Sequence, residues 1–343
     1  MKFFKLKRFI TQWTNYEYWP WLFFYLPAIP VHLWYALRSG YMFYNTAVNP
    51  GIDKGGLFGE SKIDILNNFS DDYKPKTFNH KAENSVIETL EILEKRNFEL
   101  PLIIKPNVGE RGAMVVKANS FEEIESILKS NPVDYIIQEY IDYPYEFGVL
   151  YSRMPDSEYG KVLSITLKGF LTVTGDGKRT IEELLLENKR AWFQIDRLRN
   201  EKPEMLKTIL ATNEKFVVEH IGNHCRGTEF INGNHLITEN LNKVFDKIAK
   251  QFDGFYLGRF DLKAKSIEEF QQGQTIKIFE LNGVTSEPGH IYDKNHTLIK
   301  AYRDIFKVMA EAYKISRINI KNGVKPFSTK FVVNLLLQHF KNK

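Results

Sequence analysis

Two short alternating segments constrain this chain most: Gly258-Arg-Phe-Asp261 and, after a polar loop, Phe279-Glu-Leu-Asn-Gly283. Strand side chains point alternately to opposite faces, so Arg259 and Asp261 share one face, and Glu280 and Asn282 share one. If the strands pair as an antiparallel hairpin, those faces coincide, with Phe260, Leu262, Phe279 and Leu281 on the other. The polar face would then hold two carboxylates, an amide oxygen and a guanidinium. Hard oxygen donors of this kind suit Mg²⁺, which binds one or two carboxylates together with phosphates. Arg259 could stabilise negative charge on a transferring phosphoryl group. Solvated surface strands would show the same alternation, so the hairpin alone does not decide the chemistry.

Two other segments keep it company. Lys105-Pro-Asn-Val-Gly-Glu-Arg-Gly112 sets a lysine at the end of a strand before a loop with two glycines, whose amides could fold over a phosphate. It lacks the Gly-Lys-Ser/Thr of a P-loop, and a simple hairpin turn would look similar. Gln138-Glu-Tyr-Ile-Asp-Tyr-Pro-Tyr-Glu146 reads as strand, linker and strand, with Glu139 and Glu146 seven apart. Such a linker could offer backbone groups to an adenine edge, and the later carboxylate could accept hydrogen bonds from ribose; two surface glutamates are the plainer reading.

Periodicity supplies the frame. Helices are expected over 83–96, 121–128 (capped by Ser120), 181–188 (capped by Thr180), 237–252, 297–313 and 329–341, with charged helical character over 189–215. Strands are expected over 102–105, 115–117, 135–140, 147–151, 256–264 and 275–281, the last two joined by a polar connection. Strands interleaved with helices give an α+β or α/β class. The chain of 343 residues allows two or three subdomains. Its net charge of +5 is too small to argue for nucleic acid, and no nucleic-acid signature is present. Cys225 is the only cysteine, which excludes an intrachain disulfide and fits a cytoplasmic location; it is expected to be structural and partly buried.

The N-terminus stands out. Lys2, Lys5, Lys7 and Arg8 precede Trp19 to Ala36, a run of 18 residues without Asp, Glu, Lys or Arg. Pro20, Pro27 and Pro30 would break a continuous helix, and no cleavage site marks a signal peptide. Density in Trp and Tyr resembles membrane-interface belts. Residues 1–40 are therefore read as a peripheral contact at the inner face of a membrane, as an arm packed on the rest of the chain, or as a membrane span.

Taken in order, these pieces resemble the ATP-grasp superfamily, above all its D-alanine–D-alanine ligase-like members. Val173-Thr-Gly-Asp-Gly-Lys-Arg-Thr-Ile-Glu-Glu-Leu184 is similar to a segment of cyanophycin synthetases and related glutathione-forming ligases. The likeness runs over residues 60–310 and implies an α+β ATP-grasp fold, two lobes clasping ATP. By resemblance, Lys62, Lys105, Gly109, Arg111 and Gly112 hold the phosphates. Glu139, Tyr140 and Ile141 meet adenine, and Glu146 meets ribose. Asp261, Glu280 and Asn282 are the Mg²⁺ ligands (Mn²⁺ could substitute), and Arg259 is catalytic. Arg226 and Asn223, with His220 nearby, would orient an acyl phosphate or a substrate carboxylate. The implied division is an arm over 1–45, a reduced region over 46–100, a small lobe over 101–150, a large lobe over 151–315 and a basic helix over 316–343. The implied activity joins a small or lipid-like carboxylate to an amine with release of ADP and phosphate, and a homodimer is the implied assembly. Phosphoryl transfer without ligation, and a non-enzymatic membrane-associated ATP-binding protein, share the same nucleotide residues and remain open at this level.

Overall fold

The computed structural model describes residues 2–57, 59–109, 112 and 114–341. Two antiparallel sheets dominate. The first is built from β1 (Thr77–His80), β2 (Leu102–Pro106), β3 (Val116–Ala118) and β4 (Tyr135–Glu139), in the order β1-β4-β2-β3. Helices Val86–Lys95 and Phe121–Ser130 cover one face of it. Leu93, Ile124 and Leu128 pack there on Leu102, Ile104 and Ile137. Each helix starts where a serine accepts a hydrogen bond from the third amide inside, Ser85 from Glu88 and Ser120 from Glu123.

The remaining strands are β5 (Tyr145–Ser152), β6 (Lys161–Gly169), β7 (Thr172–Thr174), β8 (Lys215–Val217), β9 (Glu229–Asn232), β10 (Leu257–Ala264) and β11 (Lys277–Asn282). Five of them form the second sheet, ordered β11-β10-β5-β6-β9, while β7 and β8 pair separately. The main core lies between this sheet and helix Glu239–Ala249, where Phe147, Phe245, Phe260 and Phe270 are fully buried. Residues 140–144 carry the chain from the first sheet to the second. β5 hydrogen-bonds to β6 and β10 and belongs wholly to the second sheet.

Three further features depart from expectation. β1 forms an edge strand at 77–80, where no strand pattern was legible, and helix Ile267–Gln272 occupies the polar connection between β10 and β11. Helix Leu298–Lys321 runs eight residues past its expected end. Its buried Ile315, Ser316 and Asn319 are held by tertiary contacts, Asn319 Nδ2 donating to the carbonyls of Ala47 and Val48.

The N-terminal arm folds into α1 (Lys2–Thr14), α2 (Trp21–Tyr25) and α3 (Ala28–Ser39). Proline is the punctuation: Pro20 and Pro27 sit at the N-caps of α2 and α3, Pro30 falls in the first turn of α3, and Gly40 ends it at φ +79. None of these helices is long and apolar enough to cross a membrane, nor is any other among the described residues. The arm is tied down by Arg8 to Asp196 at 2.7 Å, by the Tyr16 hydroxyl to the Ile291 carbonyl at 2.6 Å, and by the Tyr302 hydroxyl to the Phe24 carbonyl at 2.9 Å.

Because Phe245 fills the space between the helix and the rings of Phe260 and Phe270, truncation should leave a cavity that the sheet cannot close. Phe245→Ala is expected to cost about 3–5 kcal/mol, read as a lowered urea midpoint with an unchanged slope.

Candidate active site

β10 and β11 pair antiparallel with Asp261 opposite Glu280 and Arg259 opposite Asn282. β5 flanks β10 on its other side, with Gly148 opposite Asp261. A Cβ at Gly148 would stand 3.1 Å from Arg259 Cδ and 3.3 Å from Asp261 Oδ1. Glycine there lets both side chains lie across the neighbouring strand. Phe260 and Leu262 face the core as expected, but Phe279 does not. The ladder shifts register between Asp261 and Leu262, which leaves Phe279 as the extra residue of a bulge. Its ring turns to the polar side, within 6 Å of both the Lys105 and Lys168 amines.

The centre is a buried ion cluster. Asp261, only 1% exposed, is contacted by Arg259 Nη2 at 3.0 Å, by Lys168 Nζ at 2.9 Å and by Asn282 Nδ2 at 2.8 Å. Lys168 also meets Glu146 at 2.9 Å. Burial works to raise the Asp261 carboxyl, but Arg259 and Lys168 outweigh it and hold it below the usual range. Burial likewise works to lower Lys168, and Asp261 and Glu146 outweigh that. Gly222 approaches Glu146 so closely that any Cβ would overlap its carboxylate.

Lys105 enters from the other sheet. Its amine donates to the Phe279 carbonyl at 2.8 Å and to Gln138 Oε1 at 3.1 Å. Burial pushes it down to about 8, with Lys62 adding to the fall and Glu280 opposing it. Lys62, at the start of helix Lys62–Leu66, donates to the Gly109 carbonyl and so holds the glycine loop. No hydrogen bond or ion pair occupies the Glu280 carboxylate among the described residues.

A cleft of about 1310 Å³ between the two sheets gathers these groups. All the predicted site residues that the structure describes line it, His220 included, with one exception. Arg226 lies outside the lining because its guanidinium is engaged elsewhere, with Glu219 at 3.4 Å and the Gly112 carbonyl at 3.1 Å. It ties the glycine loop to the 224–226 turn. Arg111 lies outside the described residues. Asn223 spends its side-chain oxygen capping the 224–226 turn through the Cys225 amide at 2.9 Å. Cys225 is exposed, contrary to expectation, and belongs to the cleft lining. In the linker, the Ile141 carbonyl already accepts Lys263 Nζ at 3.0 Å, and Lys117 lies 3.8 Å from the Tyr140 ring centroid. Glu139 is exposed and accepts the Lys76 amide at 3.2 Å. A second cavity, about 840 Å³, holds none of the predicted residues.

Sequence reasoning missed Lys168, Lys263 and Glu287. Lys168 lies on β6, where a lysine next to buried Thr166 on one strand face was the only signal. Glu287 accepts the Tyr292 hydroxyl at 3.0 Å, and Arg259 donates to its carbonyl at 3.2 Å; it follows the hairpin in a loop with no periodicity to read.

The donor set fits a hard cation. Asp261 and Glu280 face each other across the bulge, and half a turn of the Asn282 amide would bring its oxygen to the same side.

Residues 74–147 match the family model of the RimK-like ATP-grasp domain. A comparison with curated proteins returns no match. Among solved structures, the chain is similar to the bifunctional glutathione synthetase of Pasteurella multocida at 16% identity, over 73% of this chain and 36% of that one, with a TM-score of 0.38. It is similar to the VanG D-Ala:D-Ser ligase of Enterococcus faecalis at 12% identity, over 71% and 57%, at 0.40. For the D-alanine–D-alanine ligase of Bacillus anthracis the figures are 14%, 77%, 69% and 0.42. The chain thus spans well under two thirds of the first two. Its fold is mixed α+β with antiparallel sheets, and the ATP-grasp match is confined to residues 74–147.

Two outcomes follow from this geometry. Gly222→Ala should push Glu146 off Lys168 and, by breaking a buried pair, cost about 3–5 kcal/mol in denaturant unfolding. Lys105 should be charged below and neutral above about pH 8, well under a free lysine. In carbon-13 spectra of labelled lysine methylenes, a resonance absent from Lys105→Met should titrate there.

Proposed function

We propose that this chain is an ATP- and magnesium-dependent ligase that joins a carboxylate to an amine. The observation that carries the reading is the meeting, in one cleft, of the Asp261–Glu280–Asn282 hairpin with Lys105, Lys62 and the glycine loop, in a chain with an ATP-grasp domain. In this reading adenine lies against the 139–141 linker and ribose against Glu146. Lys62, Lys105 and the amides near Gly109 and Gly112 hold the phosphates. Asp261, Glu280 and Asn282 would hold Mg²⁺, which when bound neutralises charge on the β- and γ-phosphates.

The residues divide the work. Arg259, anchored by Asp261 and the Glu287 carbonyl, points a cation at the region where charge builds during phosphoryl transfer. A substrate carboxylate oxygen attacks the γ-phosphorus, the bond to the β-bridging oxygen breaks, and ADP leaves. The amine nitrogen then attacks the acyl carbon, phosphate departs with the C–O bonding pair, and the nitrogen gives up a proton. Glu287, a cleft carboxylate with no lysine or arginine on its oxygens among the described residues, would take that proton. Arg226 acts indirectly, drawing the glycine loop toward residues 221–226 so that water is kept from the acyl phosphate.

Purified protein with Mg²⁺-ATP should release ADP only when both an acid and an amine are supplied, with an amide in the mass spectrum. Asp261→Ala combined with Glu280→Ala should lower that release by at least about 10²-fold. Intact turnover in the double variant would refute the metal assignment, and release needing a single partner would indicate phosphoryl transfer without ligation.

A further inference from the structure

The arm has two faces. On α1, Leu6, Phe9, Ile10 and Trp13 recur at helical spacing and are all exposed. On α2 and α3, Leu22, Leu26, Ile29, Leu33 and Leu37 do the same, Leu37 with 81% of its surface free. The rings of Trp13 and exposed Phe23 meet edge to face at 5.5 Å, so α1 and α2 adjoin on their exposed side. The opposite side of the same helices is fixed to the domain through buried Phe24 and Ala28 and the bonds described above. Contiguous apolar patches on this scale mark interaction sites.

Charge and cleft both bear on what covers the patch. The first 52 residues contain Lys2, Lys5, Lys7, Arg8 and Arg38 and a single acid, Glu17. Glu17 is 8% exposed and bound to Arg190 and His224, so it offers nothing to the outside. A second copy of the chain would bring like-charged rims together, whereas an anionic lipid surface would complement them. The cleft runs from Asp261 and Lys105 beneath the arm, where its lining turns apolar at Phe24, Tyr25 and Ala28. Trp21 and Ile29, 56% and 46% exposed, belong both to that lining and to the outer patch. The apolar end of the cleft therefore opens on the exposed surface itself.

We propose that the arm docks on an anionic bilayer surface and that the cleft draws one substrate from it, an amphiphile with its carboxylate or amine head at Asp261 and its hydrocarbon chain along Phe24, Ala28 and Ile29. Docking stands on the arm alone; the orientation of the amphiphile rests on the ligase reading above. Short helices with basic flanks and Trp-rich apolar stripes lie in the interface and do not span it.

The full chain should sediment with vesicles of phosphatidylcholine and phosphatidylglycerol, less with phosphatidylcholine alone, and less as salt is raised. Its tryptophan emission should shift to the blue. The triple variant Leu22→Ser, Trp34→Ser, Leu37→Ser removes exposed side chains that do not line the cleft. It should bind those vesicles more weakly by about tenfold or more and keep its unfolding midpoint. A chain that stays in the supernatant with both vesicle types, or a dimer in light scattering that the triple variant splits, would overturn the docking. For the cleft, laurate should bind saturably in calorimetry where acetate does not, and Ala28→Phe should weaken laurate. Absence of laurate binding together with ligation of short acids would sink the amphiphile and spare the ligase. Laurate binding without ADP release from any acid and amine would do the reverse.

Discussion

Lys168 lies 2.9 Å from two carboxylates on two different strands, and the layout of the cleft depends on that contact. Burying several charges costs several kcal/mol per ion unless each finds a partner. Here β6 supplies the lysine, β5 the Glu146 carboxylate, and β10 both Asp261 and Arg259. Each strand therefore has to hold its register for the cluster to close. Glycines at 148 and 222 provide the room, the first under Arg259 and Asp261, the second against Glu146. The cluster pairs two cations with two anions. Lys62, Lys105 and Glu280 stand outside that pairing, in the same cleft. Lys105 is the least settled of these cations, being buried with only neutral oxygens in hydrogen-bond contact.

The hairpin was legible because strand alternation is a rule of backbone geometry and needs no tertiary information. Asp261, Glu280, Arg259 and Asn282 could be put on one face from spacing alone, and the residue order supplied the likeness to ATP-grasp enzymes. Phe279 was misread for a physical reason. A bulge adds one residue to one strand and breaks the alternation locally, and nothing in Lys-Ile-Phe-Glu-Leu-Asn announces it. Lys168 was missed because its partners lie 22 and 93 residues away in sequence, and only the pairing of β6 with β5 and of β5 with β10 brings them together. β1 was missed because an edge strand of four residues carries too short a pattern. Arg226 illustrates the opposite error: a plausible residue type in a plausible loop, drawn away from the cleft by Glu219 and the Gly112 carbonyl.

The arm is where local and tertiary signals join. Its prolines predicted a broken helix, and they sit at helix starts, where a missing amide costs nothing. The broken form matters because a single straight helix could present only one stripe to one surroundings. Three short helices let Phe24 pack against Ala301, Ile305 and residues 291–292 while Leu22, Leu33 and Leu37 stay outside. The only acid of the arm is spent inward, pairing with Arg190 and His224 and falling below its usual range because those partners outweigh the burial that would raise it. That inward anchor fixes the arm to the 224–226 turn, the same turn whose Arg226 holds the Gly112 carbonyl of the glycine loop. Residues of the arm and of the glycine loop both line the cleft.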